Sequence, residues 1–98
     1  MRTLLKVTCD TEAGNLALKS GRMQQIIEAT VDRLKPEAIY FTADGGKRTA
    51  FVFFDLQNSN DMPAIAEPFF MELKADVTFT PVMNSDDLKQ GLAKAYGK

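Results

Sequence analysis

Gly45 and Gly46 stand side by side between two apolar runs, and this pair constrains the fold more than any other feature of the chain. Two consecutive residues that adopt positive φ at no steric cost are what a tight primed turn requires. Residues 37–43 and 48–56 therefore read as the arms of an antiparallel hairpin. With Gly45-Gly46 as a two-residue turn, Thr42 lies opposite Thr49, Tyr40 opposite Phe51 and Ala38 opposite Phe53. These residues share one face with Asp55, and Ile39, Phe41, Ala50, Val52 and Phe54 share the other. A longer turn through Asp44 and Lys47 would change the partners but keep the alternation within each arm.

The rest of the chain falls into elements around this hairpin. Residues 3–9 alternate Leu5, Val7 and Cys9 against Lys6 and Thr8, a first half-buried strand. Residues 10–15 are polar and read as a turn-rich connection. Leu16, Met23, Ile27, Val31 and Leu34 then recur at helical spacing over roughly residues 15–34. Gly21 weakens that helix or breaks it in two, and Pro36 ends it. Asn58-Ser59-Asn60-Asp61 closes the hairpin and can cap a second helix. Its apolar face carries Met62, Ile65, Ala66, Phe69, Phe70 and Leu73. Pro63 suits its first turn, and Pro68 inside it is expected to kink or interrupt it. Residues 76–82 read as a fourth strand. Ser85 is the expected cap of a last helix, with Asp86 and Asp87 in its first turn and Leu88, Leu92 and Tyr96 facing inward.

The order is β-α-β-β-α-β plus a C-terminal helix, so the expected fold class is α+β, a ferredoxin-like domain with an antiparallel sheet covering residues 1–98. Ninety-eight residues make one domain with a thin core. The net charge of -1, with both signs interspersed, argues against a dedicated nucleic-acid partner. No apolar run reaches the ~20 residues of a membrane span, and no signal-peptide pattern opens the chain. A cytoplasmic location is expected, with no membrane partner. The single cysteine, Cys9, excludes an internal disulfide. The absence of histidine removes the usual general base near neutral pH, the commonest metal ligand and the histidine-based triads.

In such a fold the long helices cover one side of the sheet and leave the other bare. Alternation puts Lys6, Thr8, Thr78 and Thr80 on the bare side with Tyr40, Thr42, Thr49, Phe51, Phe53 and Asp55. An exposed patch with three aromatic rings marks a contact or ligand surface. A second copy placed sheet to sheet covers it most simply, so a homodimer is expected.

Over nearly its whole length the pattern resembles the dimeric α+β barrel superfamily. The hairpin 40–48 and the segment Asp61-Met62-Pro63-Ala64-Ile65-Ala66-Glu67-Pro68-Phe69-Phe70 are similar to a small bacterial family within it whose activity is not assigned. The resemblance implies two ferredoxin-like subunits whose sheets join into a barrel, with ligands between sheet and helices or inside the barrel. Superfamily members include quinone-forming monooxygenases, muconolactone isomerase-like enzymes, chlorite dismutase-like haem proteins and small stress-related proteins. It is a resemblance of pattern, so it carries over no catalytic residue, and histidine-dependent members do not fit a chain without histidine.

The candidate ligand-facing residues are Lys6, Thr8, Tyr40, Thr42, Phe51, Phe53, Asp55 and Thr78. Lys6 and Asp55 can form an ion pair beside the aromatic rings, either to hold a polar substrate or simply to fix a dimer. Tyr40 can donate to a carbonyl or phenolate, or serve as an amphipathic interface residue. Cys9 reads as a buried inert thiol, and Glu28 and Asp32 as solvated helix surface rather than a metal site. Asp44-Gly45-Gly46-Lys47-Arg48 lacks the spacing of a phosphate loop and does not lead into a helix. The expected function is that of a homodimer binding a small apolar or aromatic molecule between sheet surfaces, with no cofactor and no metal. The alternatives are a cofactor-independent monooxygenase or isomerase acting on a small aromatic or quinone-like substrate, and a protein-interaction or regulatory module. Whether the chain is an enzyme stays open at this level.

Overall fold

The computed structural model describes residues 1–97. Strand β1 (Arg2–Thr8) leads into helix α1 (Thr11–Ser20) and helix α2 (Arg22–Leu34). The hairpin is β2 (Ala38–Asp44) and β3 (Lys47–Asp55). A short 3-10 turn at Ser59–Asp61 precedes helix α3 (Met62–Leu73), then come β4 (Asp76–Pro81) and helix α4 (Ser85–Tyr96).

The four strands form one sheet in the order β2-β3-β1-β4, antiparallel at every step. Gly45 and Gly46 take φ of 61° and 80°, and the hairpin pairs Thr42 with Thr49, Tyr40 with Phe51 and Ala38 with Phe53. That is the register of the two-residue turn.

The sheet is open. Its edges, β2 and β4, stand three strand spacings apart, about 14 Å, and four strands on one twisted plane do not curl far enough to pair their edges. The barrel implied by the resemblance, and with it the ferredoxin-like dimeric-barrel assignment, is overturned. In its place stands an α+β fold with an open four-stranded antiparallel sheet and extra helices.

The first of those extra helices arises where one long helix was expected. Asp10 caps α1 through its side chain, which accepts from the Ala13 amide at 3.0 Å. Residues 11–15, read as a turn, therefore begin a helix. Gly21 at φ 81° then ends α1 and starts α2. One residue in the left-handed region breaks the α ladder, and glycine bears that conformation without a Cβ clash.

Helix α3 runs through Pro68 instead of breaking there. Pro68 lacks the N–H that would satisfy the Ala64 carbonyl one turn earlier. Arg33 on α2 donates a hydrogen bond to that carbonyl at 3.4 Å. Arg22 also grips α3, with Nε and Nη2 at 2.6 and 2.9 Å from the two Glu72 oxygens. The guanidinium holds the Glu72 carboxyl below its ordinary range, first by hydrogen bonding.

The core lies between the helices and one face of the sheet. Burial alternates along β1, so Thr3, Leu5 and Val7 face the core. Leu5, Val52 and Leu73 are the largest fully buried side chains, joined by Phe54, Ile26, Ile65 and Phe69. Leu5 sits on a strand paired on both sides and is 0% exposed, so nothing can move in cheaply to fill its place.

Helix α4 departs from expectation. Asn84, not Ser85, is its cap, in a reciprocal capping box with Asp87. Leu88, Leu92 and Tyr96 do not face inward, being 46%, 48% and 76% exposed. The link after β4 carries the helix past the end of the sheet, away from both layers.

Three outcomes test this account. Leu5→Ala is expected to lower unfolding stability by about 3 kcal/mol in a denaturant titration, the cost of a cavity that cannot collapse. Lys74, which ends α3 in the left-handed region at φ 46°, is expected to give a gain of about 0.5–1 kcal/mol on Lys74→Gly. The Glu72 pair contributes stability that is present above the ordinary carboxylate pKa and is lost as pH falls through the lowered folded value. In an NMR titration Glu72 should protonate below the ordinary carboxylate range, and Arg22→Ala should raise its pKa.

Candidate functional site

The expected ligand-facing residues do share the bare side of the sheet. Register places Tyr40, Phe51, Lys6 and Thr78 in one row across all four strands. Thr42, Thr49 and Thr8 form the neighbouring row on the side of the hairpin turn, and Ala38, Phe53 and Leu4 the neighbouring row on the other side. Asp55 lies past these, opposite Arg2. The residues form a surface rather than a pocket: Tyr40 is 63% exposed, and Phe51 and Phe53 are half-buried by their neighbours.

The Lys6–Asp55 ion pair is not formed. Lys6 faces Phe51, four residues from Asp55 on β3, a separation of about 13 Å. Lys6 Nζ instead lies 3.0 Å from Asp44 Oδ2 and 5.6 Å from the centroid of the Phe51 ring. Asp55 accepts from the Met1 amino group at 2.6 Å and from Gln57 at 2.6 Å. The amino group is the main cause of a lowered Asp55 pKa, acting by hydrogen bonding and then by charge. Both pairs are open to solvent, so they position side chains at the sheet margins and hold no buried charge.

The concave site lies on the other side of the sheet. Between α2 and strands β2 and β3 is a cavity of about 470 Å³. Ile26 and Ile27 form its helical wall, Ile39, Phe41 and Ala50 its floor, and Phe69 closes its inner end. Phe41 and Leu18 are 56% and 51% exposed, which shows that the cavity opens to solvent at its rim. Val52 and Leu73 lie deeper and are almost fully buried.

Burial along α2 is uneven beside this opening. Residues Met23 and Ile26 bury against the core near the start of α2, whereas Ile27 is half-buried and Val31 is exposed. Phe41 on the edge strand β2 is left without the cover that its face predicts, although Leu34 at the end of α2 packs against the core. Arg22 and Arg33 fasten α2 to α3, on the side away from β2.

The polar lining is sparse. Arg48 brings a cation to the rim and donates to the Thr11 carbonyl at 3.3 Å and to Asn15 Oδ1 at 2.8 Å. Both acceptors are neutral, so among the described residues these bonds do not offset its charge. Gly14 makes room for this side chain: a Cβ there would stand 2.7 Å from Arg48 Nη1. Cys9 also lines the cavity. Burial pushes its thiol pKa up, and Arg48 offsets part of that rise. A protonated buried thiol is a small apolar wall and a poor nucleophile.

Period-two alternation assigns Ile39, Phe41 and Ala50 correctly to the helix-facing side but does not reveal that Phe41 is left uncovered at the rim of a cavity. Alternation gives the face of each strand residue and not its distance from the opposing helix, so no local signal marked the cavity. Among the described residues no three His, Cys, Asp or Glu side chains group as metal ligands, and no helix is long and apolar enough to cross a membrane.

Replacing Gly14 with alanine should displace the Arg48 guanidinium while leaving the fold intact, since the obstructing atom is the far end of a flexible side chain. The Arg48 Nε–H resonance in an NMR spectrum should shift and broaden, with the circular dichroism unchanged. No protein-family model matches the chain, and no curated protein does.

Proposed function

We propose that the protein binds a small apolar or aromatic molecule, carrying one anionic group, in the cleft between α2 and the sheet. The observation that supports this reading is the cavity itself: about 470 Å³, lined almost wholly by aliphatic and aromatic side chains, with Arg48 at its rim. A site of that kind takes its affinity from apolar burial and its orientation from a few polar groups. Arg48 is suited to a carboxylate, which accepts two parallel N–H bonds from a guanidinium.

The lining supplies no carboxylate, phenol, amine or imidazole. Proton transfer of the kind a cofactor-independent monooxygenase or isomerase needs would have to come from such groups. Tyr40, Lys6 and Asp55 stand on the opposite side of the sheet. Binding, rather than turnover, is the activity that the arrangement favours.

Titration with 1-naphthoate, followed by amide chemical shifts, tests the reading. Shifts are expected at Ile27, Phe41, Arg48 and Ala50 and not at Tyr40 or Phe53. Ala50→Phe, which fills the floor of the cleft, should abolish them. Arg48→Gln should weaken 1-naphthoate about tenfold and leave neutral naphthalene nearly unaffected. Shifts confined to the opposite sheet face, or binding unchanged by Ala50→Phe, would overturn the proposal.

A further inference from the structure

Two apolar surfaces of this chain lack cover, and they fit one another. The first is the bare side of the sheet, where Leu4, Phe51 and Phe53 are half-buried and Tyr40 is exposed. The second is α4, none of whose residues is buried. Its Leu88, Leu92 and Tyr96 follow each other at intervals of four, with the small Gly91 and Ala95 beside them. The stripe would allow close approach to a flat surface.

The shape of the molecule shows that α4 does not lie on its own sheet. The extents are 55 × 27 × 18 Å, and the radius of gyration is 15.6 Å, against about 13 Å for a compact chain of this length. The shortest dimension accommodates two layers, the sheet and the helices on its far side. The long dimension exceeds the ~31 Å of the longest strand and is made up by α4. The launch point is held firmly. Val82 N donates to the Arg2 carbonyl at 3.1 Å, Arg2 Nη1 donates to Asp87 at 3.1 Å, and Asn84 and Asp87 close the capping box. A link of three residues, reaching at most ~10 Å, directs the helix off the end of the sheet.

We infer that α4 is an exchanged arm: in a two-fold pair of copies, each α4 lays its Leu88–Leu92–Tyr96 stripe on the open sheet face of the other. The face is four strands wide, about 19 Å, and receives a helix of ~18 Å length and ~10 Å diameter. Burying one side of such a helix removes about 280 Å² from each surface. A single contact would therefore total about 560 Å², within the range of incidental contacts. Reciprocal exchange doubles that to about 1,100 Å², which clears the ~1,000 Å² of a specific interface. A second copy is the occupant that supplies both surfaces at once. The sheets stay open in this arrangement, since the covering layer is helical. The inference is independent of the ligand reading, which concerns the other side of the sheet.

Sedimentation velocity of the full chain at about 20 μM is expected to give twice the monomer mass of 10.9 kDa. Leu88→Asp with Leu92→Asp should weaken the dimer about 100-fold or more without changing the circular dichroism, because neither side chain is buried in its own copy. Placement is read by disulfides in a Cys9→Ser background. Mixed Tyr40→Cys and Leu92→Cys single variants should cross-link between chains under mild oxidation. A monomeric full chain, a dimer unaffected by the two aspartates, an absence of that cross-link, or a cross-link forming within one chain when both cysteines are on it would each overturn the exchange.

Discussion

Everything in this fold is referred to β1. It is paired on both sides, to β3 and to β4, and its alternation decides which residues of the whole sheet are inside. Thr3, Leu5 and Val7 point to the helices, and Arg2, Leu4, Lys6 and Thr8 point away. A slip of one residue against either neighbour would send Leu5 and Val7 into water and Lys6 into the core. The Gly45-Gly46 turn fixes the remaining degree of freedom by setting β2 against β3. The cleft floor and the bare face are therefore two sides of one registration.

The helix layer has less freedom than its exposed surface suggests. Gly21 uncouples α2 from α1, but Arg22 and Arg33 immediately bind it to α3. The hydrogen bond from Arg33 to Ala64 also answers the carbonyl left free by Pro68, so the same contact that orients α2 allows α3 to continue through a proline. With α2 held from one side, the gap opens on the other, above Ile39, Phe41 and Ala50. The cavity therefore lies on the side of α2 that these guanidinium groups do not tie down.

Much of this was legible from local pattern. The strands, the hairpin register and the assignment of Phe41 and Ala50 to the helix side all follow from period-two alternation and one glycine pair. The misreadings share a physical cause, since each depended on how elements meet rather than on how they form. Residues 11–15 look like a turn until Asp10 is seen to cap them. Lys6 and Asp55 share a face with one row of side chains between them, yet Lys6 pairs with Asp44 and Asp55 with the Met1 amino group. The stripe on α4 is amphipathic in sequence whether or not its own chain buries it, so periodicity could not tell an inward helix from a projecting one. Closure into a barrel depends on the geometry of the sheet edges, on which alternation is silent.

The two sides of the sheet pose different physical problems. On the helix side the chain already encloses most of its apolar surface, and what remains is a concavity of molecular size, which a small ligand can fill without a second protein. On the bare side the surface is flat, and a small ligand would leave one of its own faces in water, so a macromolecular layer covers it more effectively. A chain of 98 residues buries a small fraction of its surface compared with larger domains. Covering that side with a helix from another copy would enlarge the core without filling the cleft, because Leu5 and Val52 point one way from the sheet while Lys6 and Phe51 point the other. Binding and assembly can then proceed on opposite faces of the same strands, with β1 and β3 as the common wall between them.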